Sequence, residues 1–186
     1  MSHPIIHREL VGLLRTRRAL GVQLALTAAL AALVVLRWPA NAHVNLSGEE
    51  SQAVLRLFGY GLMVGLVLLS PVFPATAIVR ERQAGTLALL LNSPLSAWDI
   101  LVGKVAGAVG FAILLLLLSL PAATACYVMG GVDFVGQIMI VYLILFLAAV
   151  QYAMLALFVS SRANTTDSAL RLTYGAILLM AVAPLD

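Results

Sequence analysis

Long apolar runs separated by short polar or charged segments dominate the sequence. A helix needs about 20 mostly apolar residues, with a lower limit of about 17, to cross the hydrocarbon layer of a bilayer. Four runs meet that requirement, at about Ala19–Leu36, Val54–Val79, Val105–Val128 and Phe134–Val159, and a shorter fifth covers Leu172–Leu185. None shows the apolar–polar alternation of a membrane barrel. In hydrocarbon each backbone amide must find its partner within the segment, so these runs are expected to be helices. Ahead of them, Ile5, Ile6, Leu10, Leu13 and Leu14 share one face of a helix over Pro4–Arg18, while His7, Arg8, Arg15 and Arg18 point elsewhere. Such a helix lies in the headgroup layer with its arginines towards anionic lipid; a solvated lead-in helix is the alternative. The expected fold class is an all-α integral membrane protein. It is a single-domain polytopic bundle with an N-terminal interfacial helix, five transmembrane helices and a loop over 80–104.

Composition agrees with lipid as the main solvent. Of 186 residues, 62% are hydrophobic and only 10% charged, whereas a soluble domain is near half apolar and one quarter charged. The net charge of +3 raises the possibility of nucleic acid, but no basic stripe interleaved with aromatics is present, so none is expected as a partner. The basic residues instead report orientation. Arg8, Arg15, Arg17 and Arg18 precede the first span, Arg80, Arg82 and Lys104 lie between the second and third, and Arg162 and Arg171 between the fourth and fifth. Only Arg37 and Arg56 fall on the other side. The positive-inside rule places the N-terminus in the cytoplasm. The basic start and Ala40-Asn41-Ala42 imitate a signal peptide, but the lead-in and apolar run are both too long, and retention as a helix is expected. A lone Cys126 permits neither an intrachain disulfide nor a cysteine-based metal site.

Candidate chemistry is sparse. The phosphate loop of a nucleotide-hydrolysing motor is absent, because Gly103-Lys104 is followed by Val105 and lacks the preceding glycine frame. His3, His7 and His43 form no metal pair, and no metalloprotease or serine-hydrolase signature occurs. Asn45-Leu46-Ser47 matches a glycosylation acceptor by little more than chance. The spans hold almost no charged side chains, which argues against a proton relay or ion-coupled carrier. Their polar residues, Gln23, Thr27, Ser70, Ser119, Thr124, Gln137 and Gln151, read as helix–helix contacts before substrate contacts. Gly61-xxx-Gly65 and Gly103-xxx-Gly107 permit close helix approach, and Pro71 with Pro74 predicts a bend in the second span.

The stretch Val79–Lys104 is the most informative. Arg80-Glu81-Arg82 closes the second span, Gly85 breaks regularity, and Leu87, Leu90 and Leu91 begin a short apolar-faced turn. Asn92-Ser93-Pro94 signals a loop, and Ser96 with Asp99 forms a capping box. The pattern predicts a short amphipathic cytoplasmic helix between two spans. The residues Glu81, Gly85, Thr86, Leu87, Leu89, Leu90, Leu91, Pro94, Leu95 and Ser96, followed by Gly103-Lys104, resemble the signature of ABC type-2 transporter permeases. The interfacial lead-in helix is similar to that family's elbow helix. The resemblance implies that Arg80–Ser96 is a coupling helix docking on a cytoplasmic ABC ATPase. ATP and Mg would then be bound by that partner, and no cofactor by this chain. It further implies a second permease subunit, as a homo- or heterodimer, export rather than import, and residence in a bacterial plasma membrane. The family usually has six spans per unit against five here, so a truncated product or a short member is expected. The competing reading is an anchor or assembly subunit that moves nothing.

Overall fold

The computed structural model describes residues 17–37, 49–86 and 96–182. The expected interfacial helix up to residue 16, the loop sites Asn41 and Asn45, the segment Leu87–Leu95 and the last residues of the fifth run lie outside the described residues. About 90% of the described residues are helical, and none of them is in a strand. The helices are α1 (Arg17–Leu36), α2 (Glu49–Leu69), α3 (Val72–Gln83), α4 (Ala97–Val128), α5 (Ile140–Arg162) and α6 (Thr166–Val182), with a π-helical segment at Phe134–Met139 leading into α5. Among the described residues, three helical stretches are long and apolar enough to cross a bilayer, Ser51–Gln83, Trp98–Val128 and Phe134–Arg162, and Leu20–Leu36 is a shorter apolar one. The 31 residues of Trp98–Val128 reach about 46 Å at 1.5 Å per residue, so that helix extends past the hydrocarbon on at least one side.

Large apolar side chains are exposed throughout, including Leu36 at 83%, Val128 at 72% and Leu179 at 70%. In water such surfaces would drive aggregation; acyl chains cover them at no comparable cost. The all-α polytopic membrane bundle read from the apolar runs is the fold observed.

Contacts divide the chain into two compact units. One contains, among the described residues, 17–37, 49–66 and Ala112–Leu147. Here α1 buries Gln23, Thr27, Leu30 and Val34, a stripe at helical spacing. The Thr27 hydroxyl donates back to the carbonyls of Gln23 at 3.1 Å and Leu24 at 3.0 Å, which satisfies it within its own helix. On α2, Phe58, Leu62 and Leu66 are fully buried. A Cβ on Gly61 would come within 2.8 Å of the Leu30 Cδ2, and one on Gly65 would run into the Leu26 side chain. The expected close approach at Gly61-xxx-Gly65 is therefore present, with α1 as its partner. Ser119 and Tyr142 share a hydrogen bond of 2.7 Å between α4 and α5. The turn after α4 is tied to α2 by the Gln52 amide, which donates to the Gly131 carbonyl at 3.3 Å.

The other unit contains, among the described residues, 67–86, 96–111 and 148–182. At the predicted bend of the second span the helix lapses for two residues: α2 ends at Leu69 and α3 restarts at Val72. Pro71 and Pro74 have no N–H, so the carbonyls four residues earlier lose their helical donors. At this break the Leu68 carbonyl accepts from the Tyr174 hydroxyl of α6. Phe73 and Phe111 pack as tilted rings with centroids 4.7 Å apart, and α3 packs along α6 around Val79, Ala163 and Ala169.

Two element boundaries differ from expectation. The helix capped by Ser96 is not a separate short element but runs unbroken to Val128, because Ala97–Lys104 holds no residue that stops a helix. The helix expected from Leu172 starts at Thr166. Thr165 and Ser168 form a reciprocal cap there: the Ser168 N–H donates to the Thr165 Oγ1 at 3.2 Å and the Thr165 N–H to the Ser168 Oγ at 3.3 Å.

Candidate functional site

The C-terminal end of α3 concentrates the polar structure of its unit. Four consecutive residues, Arg80, Glu81, Arg82 and Gln83, leave the helix in different directions because successive helical positions are rotated by about 100°. Arg80 is exposed. Glu81 faces α4, where its Oε1 accepts from the Lys104 Nζ at 2.8 Å. Both side chains are largely withdrawn from solvent, at 17% and 5% exposure. The pairing offsets part of the cost of withdrawing both groups from water.

Arg82 turns towards the end of α5. Its Nη2 donates to the Ser161 carbonyl at 2.9 Å and its Nη1 to the Ala163 carbonyl at 3.0 Å. The last carbonyls of a helix lack intrahelical donors and carry partial negative charge, so a guanidinium fork suits them in both geometry and sign. Gln83 donates to the Asn164 carbonyl at 3.4 Å. One turn earlier, the Ser160 Oγ accepts from the N–H groups of Ile78 and Val79 at 3.2 and 3.4 Å. Arg162 stacks over the Phe158 ring at 5.4 Å. The end of α3 is thus fastened on one side to α4 by an ion pair and on another to the α5–α6 connection by hydrogen bonds.

The chain leaves α3 through a left-handed residue. Gly85 has φ +70°, a conformation that costs other L-residues about 1–2 kcal/mol. Its N–H donates to the Arg82 carbonyl at 3.2 Å, and the Ala84 N–H to that of Arg80 at 2.9 Å. The Thr86 hydroxyl then closes the remaining Glu81 carbonyl at 3.3 Å. Glu81, Gly85 and Thr86 therefore have distinct physical jobs: anchoring the helix end, reversing the chain and covering an orphan carbonyl. Where the described chain resumes, Ser96 caps α4. The Asp99 N–H donates to the Ser96 Oγ at 3.1 Å, while the Asp99 carboxylate accepts from the Ser96 N–H and Oγ at 3.1 and 2.6 Å.

Of the residues singled out from the sequence, Arg80, Glu81, Arg82, Gly85 and Thr86 lie together at this helix end, and Ser96 heads the following helix. Leu87, Leu90, Leu91, Pro94 and Leu95 lie outside the described residues. Sequence reasoning placed Lys104 just after the family signature but missed its pairing with Glu81, and it missed Ser160. A lysine one helical repeat inside an apolar segment was the available signal for the first; nothing in the sequence pointed to the second. Among the described residues, no group of three or more His, Cys, Asp or Glu side chains could hold a metal ion.

Comparison with known sequences gives one family. The profile described as ABC-2 family transporter protein matches residues 4–184. A search of curated proteins found no match.

Proposed function

The chain belongs to the ABC-2 transporter family and is a membrane-spanning permease component; from that premise we propose that it exports its substrate by coupling to a separate cytoplasmic ABC ATPase through Arg80–Ser96. The observation that carries this reading is the fastening of the α3 end. Arg80, Arg82 and Thr86 are exposed, and of these Arg82 also holds the α5–α6 connection, while the half-buried Glu81 is held against Lys104. A partner that grips the exposed residues displaces the packed ones with them, since close-packed contacts transmit a displacement better than they absorb it.

On this reading two permease subunits sit over two ATPase subunits, which bind ATP and Mg. Nucleotide binding draws the ATPases together and favours one of two permease arrangements, and hydrolysis restores the other. The shift equals the difference in affinity of the nucleotide-bound motor for those two arrangements. The N-terminus and the Arg80–Ser96 segment face the cytoplasm, in keeping with the distribution of arginine and lysine.

Co-purification tests the proposal. The wild-type chain should bring down a phosphate-loop ATPase from its own membranes, Glu81→Lys should lose it, and Glu81→Lys combined with Lys104→Glu should recover it. An ATPase retained equally by all three, in properly assembled protein, would remove Glu81 from the coupling path. A wild-type complex without an ATPase would favour the anchor reading.

A further inference from the structure

The unit formed by residues 17–37, 49–66 and Ala112–Leu147 contains an open groove of 490 Å³ between α2 and the π-helical segment with the start of α5. That size lies within the usual range for small-molecule sites. Its lining is graded along α2. Gln52 and Arg56 stand at one end with Gln137 opposite them, and Tyr60, Met63 and Ile144 continue the walls as an apolar trunk. From Gln52 to Met63 the helix rises about 16 Å, close to half the hydrocarbon thickness of a bilayer.

We propose that this groove binds one lipid of the surrounding bilayer that carries an anionic headgroup, its acyl chain in the trunk and its headgroup on Arg56. Three features favour that occupant. Arg56 is exposed, and its Nε donates to the Gln52 carbonyl at 3.4 Å. Its two terminal nitrogens keep the fork that pairs with a phosphate or carboxylate. Among the described side chains its polar contact is the one to the Gln52 carbonyl.

The volume supplies the second feature. At 490 Å³ the groove has the capacity of a small-molecule site. A single acyl chain is slender enough to enter.

The third is the setting. Tyr60 is 70% exposed and Ile144 56%, so the trunk opens sideways to lipid, and entry needs no passage through water. The polar end, with a tyrosine one turn below the arginine, matches the amphipathic level of a membrane boundary.

Photo-crosslinking of the full chain in bilayer nanodiscs tests the proposal. The probes are photoactivatable phosphatidylglycerol and phosphatidylcholine analogues with the same reactive acyl chain. Labelling should map to Tyr60, Met63 or Ile144 and prefer the anionic probe by about fivefold, the contribution of one arginine near a membrane surface. Arg56→Gln should abolish the preference, Arg56→Lys should retain most of it, and Ile144→Trp should cut labelling by both probes. Size-exclusion profiles identify any variant that fails to fold. Equal labelling by both probes in the wild type would overturn the proposal, as would labelling unmoved by Arg56→Gln and Ile144→Trp. Efficient disulfide cross-linking between two copies through a cysteine at position 60 would overturn it too, by making the groove a protein contact.

Discussion

Glu81 and Lys104 stand 23 positions apart and meet at 2.8 Å, joining the end of α3 to the first part of α4. Removing one member of a buried pair takes away the charge that offsets the other's loss of water, at a cost of about 3 kcal/mol or more. Glu81→Gln and Lys104→Met should each lower the thermal unfolding midpoint in detergent clearly. The double variant should lose less than the sum of the two, because the contact between the pair is then lost only once. Additive losses would show that the ion pair contributes nothing through its own contact.

Gly85 makes a narrower prediction. A Cβ there meets open space, so Gly85→Ala tests backbone conformation alone and should cost about 1 kcal/mol through the left-handed φ. Gly85→Asn should cost less, since asparagine tolerates that region better. Chemical unfolding of the purified protein would rank the two. Equal stability of wild type and Gly85→Ala would mean that the chain leaves α3 in another way.

Arg82 reaches two carbonyls with one planar fork, which lysine cannot copy. Arg82→Lys should therefore speed amide exchange of residues 163–166 measurably, and Arg82→Gln should do so further. Exchange unchanged in both would show that the α5–α6 connection holds its shape without the clamp.

Gly65 and Gly21 form an internal comparison. Gly65→Val would drive side-chain atoms into Leu26, while Gly21 has nothing within 4 Å of its would-be Cβ. The first should destabilise by about 1–3 kcal/mol through overpacking. Gly21→Ala should be neutral or slightly stabilising, because glycine weakens a helix by about 1 kcal/mol relative to alanine. Thermal unfolding of both variants checks the contrast.

The apolar runs made the helices legible because lipid imposes a length and a composition on anything that crosses it. Caps and breaks were legible for a local reason: Ser96 with Asp99, Gly85, and Pro71 with Pro74 act on a backbone within four residues of themselves. The Glu81–Lys104 pair was not, since nothing local records which of several charges across a loop will meet. Arg82 escaped for a different reason. Its partners are the carbonyls of Ser161 and Ala163, groups that every residue carries and that side-chain patterns do not mark. The start of α6 was readable from Thr165 and Ser168 but was masked by the polar run before Leu172, where apolar content alone set the expected boundary.

Site-specific photo-cross-linking from position 86, in intact membranes of the cell that makes the protein, tests the central claim most directly. Thr86 is exposed beside the fastened end of α3. The account predicts one dominant adduct, to a subunit that carries a phosphate loop and is reached from the cytoplasmic side. Modification of a cysteine at position 86 by a membrane-impermeant reagent added outside the cell, with no ATPase adduct, would contradict it.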